Sequence, residues 1–234
     1  MIKGISIFLP AYNDEKTIKR LVLDVISVLD PLNLDYEIII IDGCSQDATG
    51  EIAKGLTENH KNVKLVQHKK NMGYGGALKS GFANATKEWV FYTDSDGQYD
   101  IREILRLLPY TQEYDFINGY ISKRMDPIYR IILGRIYQFW LDIFFGRKLR
   151  YVNCDFRLIK KSIIDQITID SNSGFAPAEI VIKLFRNGAR IKEVLVSHFT
   201  RLQGRSQFFK LKKLINLFTD FLKFFIHEKL EIFS

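Results

Sequence analysis

Short apolar runs alternating with helically spaced stretches fill the N-terminal part of the chain, and this alternation constrains the fold more than any other feature. Ile5–Leu9 is ended by Pro10, and Tyr36–Ile41 is a β-branched run that ends on Asp42. Val63–Gln67 and Trp89–Thr93 follow, the last ending at Asp94. Between them, Lys16–Leu29 places Ile18, Leu21, Val22, Val25, Ile26 and Leu29 at helical spacing before Asp30-Pro31 stops it. A shorter helix is expected from about Ala48 to Glu58, and the glycine-rich turn Gly73–Gly76 opens another through Phe82. Strand and helix alternating in this way predict an α/β fold with a mainly parallel sheet flanked by helices. Ligands of such sheets bind beyond the carboxyl ends of the strands. The polar residues at those ends, Tyr12 to Glu15, Asp42 to Asp47 and Asp94 to Gln98, are therefore the ones to read.

The second half is less regular. Strands are expected at Phe116–Tyr120, Val152–Ile159 and Ile191–Val196, and helices at Ile128–Phe145, Ala178–Asn187 and Phe208–Ile226. The domain expectation is a catalytic unit over 1–206 followed by an amphipathic helix over 207–234. Hydrophobic residues make up 47% and charged residues 26% of 234 residues, enough for a core without disulfides. Cys44 and Cys154 lack metal-ligand spacing and suit packing in a reducing compartment. The opening Met1-Ile2-Lys3-Gly4 lacks signal-peptide character, and no run approaches ~18 apolar residues. A cytoplasmic location is expected. The net charge of +7 suits phosphate-rich small molecules, nucleic acid or an anionic membrane surface without choosing among them.

Asp94 and Asp96 stand two apart after a buried strand. Two carboxylates on one loop suit a hard divalent ion, with Gln98 adding a neutral oxygen and Gly97 allowing the turn. Mg²⁺ takes one or two carboxylates plus substrate phosphates and would neutralise a departing diphosphate. The alternative is a solvated acidic turn capping a helix from Ile101, and the motif by itself leaves both open. The turn Gly73-Tyr74-Gly75-Gly76 follows the third strand rather than the first, which excludes a dinucleotide fingerprint.

Four segments, in order, resemble the family-2 glycosyltransferases of the GT-A fold. They are Leu9-Pro10-Ala11-Tyr12-Asn13-Asp14-Glu15, Ile41-Asp42-Gly43-Cys44-Ser45-Gln46-Asp47-Ala48-Thr49, Asn71-Met72-Gly73-Tyr74-Gly75-Gly76-Ala77 and Asp94-Ser95-Asp96-Gly97-Gln98. The resemblance implies that Pro10, Ala11, Tyr12 and Glu15 line a base and ribose pocket. It also implies that Asp42 accepts a hydrogen bond from the base, and that Gly73 and Gly75 let backbone approach the nucleotide near Lys79. Asp94, Ser95 and Asp96 would complete the donor site, with Asp94, Asp96 and Gln98 holding Mg²⁺ or Mn²⁺. Two departures stand out: Gly43 replaces the second acidic residue of the family pair, and Asp14 intervenes before Glu15.

Later segments resemble the polyprenyl-phosphate transferases similar to dolichol-phosphate mannose synthase. These are Asn153-Cys154-Asp155-Phe156-Arg157-Leu158 and His198-Phe199-Thr200-Arg201-Leu202-Gln203-Gly204-Arg205-Ser206. The resemblance implies catalytic roles for Asp155, Arg157 and Arg201, and acceptor-phosphate contacts for Arg205 and Ser206. Ile121 stands where an acceptor arginine is expected, which shifts that role to Lys123 or Arg124. Asp155 is a candidate base, or orients Arg157, or forms a structural ion pair with it. The implied activity is inverting transfer from a UDP- or GDP-sugar to polyprenyl phosphate. Rival readings are transfer to a saccharide hydroxyl and a degenerate nucleotide-sugar binding module. The basic residues lie beside apolar helical faces, not in an aromatic-studded groove, which argues against nucleic acid. Phe208–Ile226 interleaves aromatics and lysines like a basic interfacial helix, and Ile128–Phe145 is apolar around most of its circumference. Membrane docking, homo-oligomer contact or a membrane-protein partner would each use these faces.

Overall fold

A seven-stranded sheet with helices on both faces realises the expected alternation. The computed structural model describes residues 2–121, 128–145, 152, 154–200 and 211–232. Its strands are β1 (Gly4–Ala11), β2 (Asp35–Asp42), β3 (Val63–Gln67), β4 (Trp89–Thr93), β5 (Phe116–Tyr120), β6 (Phe156–Lys160) and β7 (Ile191–Leu195). The helices are α1 (Ile18–Leu29), α2 (Thr49–Asn59), α3 (Gly73–Asn84), α4 (Ile128–Phe145), α5 (Lys161–Ile164), α6 (Ala176–Arg186) and α7 (Leu211–Ile232). In space the strands run β3-β2-β1-β4-β6-β5-β7. All neighbours are parallel except β6, which is antiparallel to both β4 and β5.

This order makes β1 the switch point: β2 and β3 build outward on one side, and β4 returns to the other. The chains leaving β1 and β4 lead to α1 and to a 3₁₀ segment at Ile101–Arg106, which pack in one core on the same face. The carboxyl ends of the strands at such a switch point are where ligands of these sheets bind.

Both faces of the central strands are covered, so they are apolar without alternation. In β1, Ile5, Ile7 and Leu9 enter the core shared with α1 and α2, while Phe8 enters the opposite core with Leu78 and Phe82 of α3. Phe8 stacks on Tyr92 at 5.1 Å and meets Phe82 edge-on at 4.9 Å. Of the predicted stripe, α1 buries Ile18, Leu21, Val22, Val25 and Leu29 and leaves Ile26 half-buried, then ends in a one-turn 3₁₀ segment at Asp30–Leu32. In α7, Leu217, Phe221 and Phe224 join the core of Phe8 and Val90, with Phe175 against both aromatic rings. One face of α7 is thus packed against Phe175, just ahead of α6.

Several boundaries differ from the sequence reading. β1 continues through Pro10 to Ala11 in register with Ile41 and Asp42 of β2, although Pro10 has no N–H to give. β6 begins at Phe156, not Val152. The carbonyls of Val152 and Cys154 are turned to the side chain of Arg157 and not to a ladder. α6 begins at Ala176, with Pro177 in its first turn, where a missing N–H costs nothing.

Candidate active site

The crevice is built from the ends of β1, β2 and β4. Ser95, buried, donates to the Pro10 carbonyl at 2.8 Å and ties the β4 loop to the end of β1. Asp96 is 7% exposed and its Oδ1 accepts the Gln98 backbone N–H at 3.0 Å, closing a tight turn across Gly97 (φ +76°). The carboxylate loop is therefore not a solvated acidic turn. The cap of the following 3₁₀ helix, Ile101–Arg106, comes instead from Asp100, whose side chain accepts Arg102 N–H. Gln98, 9% exposed, donates its side-chain amide nitrogen to the Phe199 carbonyl at 3.1 Å, and its backbone carbonyl accepts Phe199 N–H at 2.8 Å. That ladder-like pair brings the segment after β7 across the loop, where His198 packs edge-on against Tyr99.

Asp94 accepts a hydrogen bond from the Tyr74 hydroxyl at 2.7 Å. Burial first, and then the charges of Asp155 and Asp94, hold the Tyr74 phenol well above its ordinary pKa, so it stays protonated and donating. The same two carboxylates act on the buried phenols of Tyr92 and Tyr99. Asp94, just after β4, and Asp155, just before β6, thus both act on the phenols of Tyr74, Tyr92 and Tyr99. Burial also pushes the Cys154 thiol up to about 12, which leaves it a packing residue at neutral pH, as expected.

Four predicted donor residues, Asp42, Gly73, Gly75 and Lys79, are engaged by the chain itself. Asp42 is fully buried: Oδ1 accepts Ser45 N–H at 3.0 Å and Oδ2 accepts the Gln67 amide at 2.9 Å. These bonds tie the end of β2 to the loop after it and to β3. Gly73 and Gly75 make their close approach to the chain itself. A Cβ at either would lie 2.3 Å from a carbonyl oxygen, of Asn172 and Ser171 respectively, and Gly75 N–H donates to Asn172 O at 3.1 Å. The Lys79 ammonium donates to the Asp170 carbonyl at 2.8 Å, belonging to the same docked segment.

The remaining pocket residues are knit by acidic side chains. Asp14 Oδ2 accepts Tyr12 N–H at 2.9 Å, and Glu15 Oε2 accepts Ala48 N–H at 3.1 Å, capping the start of α2. Asp47 in turn accepts Glu15 N–H at 3.2 Å. Pro10 and Ala11 are buried strand residues, and Tyr12 is the first partly exposed one.

On the acceptor side, Arg157 is fully buried. It donates to the carbonyls of Cys154 (2.9 Å), Pro177 (2.8 Å) and Val152 and to the Tyr92 hydroxyl (2.9 Å). Asp155 lies 3.9 Å from this guanidinium, at the outer edge of an ion pair. Arg157, expected to be catalytic, is thus buried and pins the backbone on either side of Asp155. Ile121, at the position of the missing arginine, is buried. Lys123, Arg124, Arg201, Arg205 and Ser206 lie outside the described residues. Tyr74, Tyr99 and the Ser171-Asn172 backbone were not singled out in the sequence. Tyr74 precedes Asp94 by twenty positions, and only the sheet order brings α3 beside the β4 loop.

Comparison with known proteins agrees with this architecture. Residues 6–168 match the family model described as glycosyl transferase family 2. An undecaprenyl-phosphate 4-deoxy-4-formamido-L-arabinose transferase of Pectobacterium atrosepticum is 27% identical over 236 residues, covering all of this chain and 71% of its own length. One of the same description from Yersinia enterocolitica is 27% identical over 224 residues, covering 94% of this chain and 67% of itself. Glucosyl-3-phosphoglycerate synthase of Mycobacterium tuberculosis, solved with Mn²⁺, uridine diphosphate and phosphoglyceric acid, shares the fold. Its TM-score is 0.68 at 17% identity, over 92% of this chain and 74% of that one. The family match over most of the chain, on a sheet whose switch point carries the paired carboxylates, makes this protein a member of glycosyl transferase family 2 with the GT-A fold.

Proposed function

We propose that this protein transfers a sugar, with inversion, from a UDP- or GDP-linked donor to the phosphate of a polyprenyl lipid. The observation that carries the reading is the position of Asp94, Asp96 and Gln98 at the sheet's switch point. Support for the acceptor comes from the undecaprenyl-phosphate transferases that align over the whole chain.

The donor set suits Mg²⁺ or Mn²⁺. Among the described residues no three His, Cys, Asp or Glu side chains cluster closely enough to cage an ion. Two carboxylates and an amide oxygen match a hard ion that completes its shell with water and phosphate oxygens. When bound, that ion supplies charge neutralisation at the departing diphosphate. The chain's own part is to hold the carboxylates: the Ser95 and Gln98 bonds fix the loop, and Tyr12 borders the crevice beside it. A lipid phosphate already carries an anionic oxygen, so it needs positioning and screening more than a base. In this reading Asp155 orients the acceptor region, Arg157 holds Asp155's backbone, and Lys123, Arg124, Arg201, Arg205 and Ser206 receive the phosphate.

The membrane surface is the proposed source of the acceptor, reached from its cytoplasmic face. Among the described residues no helix is long and apolar enough to cross a bilayer. Yet α4 leaves Ile128, Ile132, Ile136, Phe139, Trp140 and Ile143 exposed, and α7 leaves Ile215, Phe218, Leu222 and Ile226 exposed. Such one-sided apolar stripes suit burial in an interface.

The test is transfer of labelled sugar to undecaprenyl phosphate in mixed micelles, with and without Mn²⁺. Asp96→Ala is expected to reduce transfer at least about a hundredfold, the scale of losing one group that stabilises developing charge. Undiminished transfer in that variant refutes the metal role. Transfer to soluble saccharides alone refutes the lipid acceptor.

A further inference from the structure

We propose that Tyr74 is a positioning residue that sets the orientation of the Asp94 carboxylate for the divalent ion. The inference rests on the metal reading above and adds a residue to it.

Tyr74 is the second residue of α3, and the backbone that carries it has no freedom to drift. Gly73 sits at φ +77° with its N–H held by Asn71 Oδ1 at 2.9 Å. The next glycine is bonded to Asn172 O, and a carbonyl lies where a Cβ would stand at both positions. Further along, Gly81 is packed so closely on the Phe8 ring that a Cβ would meet it at 2.3 Å. α3 is thus gripped at its first turn by the Ser171-Asn172 segment and near its end by β1. The phenol that leaves this fixed turn reaches Asp94 Oδ1 at 2.7 Å.

The chemistry of the donor matters as much as its distance. A carboxylate that ligates a metal needs one oxygen presented in a set direction, and a hydrogen bond to the other fixes its plane. A lysine or arginine there would compete with the cation for the negative charge. A phenol donates one proton and carries no charge, so it orients Asp94 while leaving the full anion for the metal. Asp155 also acts electrostatically on the same hydroxyl.

The deciding experiment measures Mn²⁺ binding to the full chain with UDP present, by electron paramagnetic resonance of the free ion, for wild type and Tyr74→Phe. The ring stays and only the hydroxyl goes. Expected are Mn²⁺ affinity weakened about 10–100-fold and an equal rise in the Mn²⁺ concentration needed for half-maximal transfer. Transfer at saturating Mn²⁺ should recover most of its rate, and the metal-free melting temperature should stay close to wild type. Tyr92→Phe removes another buried phenol oxygen of the cluster, one bonded to Arg157, and serves as the comparison. Unchanged Mn²⁺ affinity in Tyr74→Phe, or equal weakening in Tyr92→Phe, overturns the proposal. Asp96→Ala separates the two ideas. If it still binds Mn²⁺ normally, the metal reading itself falls; if it does not while Tyr74→Phe binds normally, only the role of Tyr74 falls.

Discussion

Replacing Glu37 by Gln removes one charge from the floor of the sheet, far from the crevice, and its cost follows from the surroundings of that carboxylate. Glu37 is 3% exposed near the start of β2. It accepts Ser6 Oγ at 2.6 Å, Lys64 Nζ at 2.6 Å, and both the N–H and hydroxyl of Thr86 at 2.7 Å. Burial alone raises such a carboxyl. The bonds from Lys64, Ser6 and Thr86 overcome it and hold the group at about 2 against an ordinary 4.5. At about 1.4 kcal/mol per unit, that gap is worth roughly 3 kcal/mol to the folded state. The Lys64 side chain is 54% exposed, so solvent screens its share and roughly 2 kcal/mol is the better figure. Because the folded pKa is depressed, the contribution is complete above about pH 4.5 and disappears as pH falls through about 2. Urea unfolding at a series of pH values checks both statements. At pH 7 Glu37→Gln should lose about 2 kcal/mol, and between pH 5 and 2 its stability should fall less steeply than wild type by a similar amount. A loss under about 0.5 kcal/mol, the range of ordinary surface changes, or an unaltered acid limb would refute the reasoning.

Arg157→Lys keeps the charge but loses the planar fork. Carbonyls of Val152, Cys154 and Pro177 then cannot all be satisfied, at about 1–3 kcal/mol for each one left bare. Urea unfolding should show at least ~2 kcal/mol lost, with a lower transfer rate at saturating donor and acceptor as the backbone of Asp155 loosens. Gly75→Ala should destabilise by about 1–3 kcal/mol, since its Cβ meets Ser171 O at 2.3 Å and backbone must yield. Gly55→Ala, inside α2 with nothing within 4 Å, should instead stabilise by about 0.5–1 kcal/mol. Thermal unfolding of the pair distinguishes contact from helix propensity.

Much of the donor half was readable before any coordinates. Strand cores such as Ile38–Ile41 announce burial on both faces, and α1's spacing named its buried stripe correctly. The acidic loop after β4 was locatable because a strand must end where Thr93 meets Asp94. What the residue string encodes well is local: periodicity, turn chemistry and a motif within one loop. Roles that depend on what lies across the fold were not legible. Asp42 reads as an exposed ligand at a strand end, yet Gln67 of the neighbouring strand closes over it. Gly73 and Gly75 read as room for a nucleotide, yet the room is taken by a backbone nearly a hundred residues later in the chain. Arg157 reads as a catalytic residue from its motif, yet in the fold it is buried and donates to the carbonyls of Cys154 and Pro177. Tyr74 and Asp94 meet only because β4 returns to β1 on the side opposite β2. The sequence by itself determined the α/β class, the family and the loop that carries the carboxylates, since each rests on near-neighbour patterns. The tertiary structure alone decided which side chains face the crevice and which are held by the chain's own backbone. That choice depends on strand order and the satisfaction of buried polar groups, and both are properties of the assembled fold.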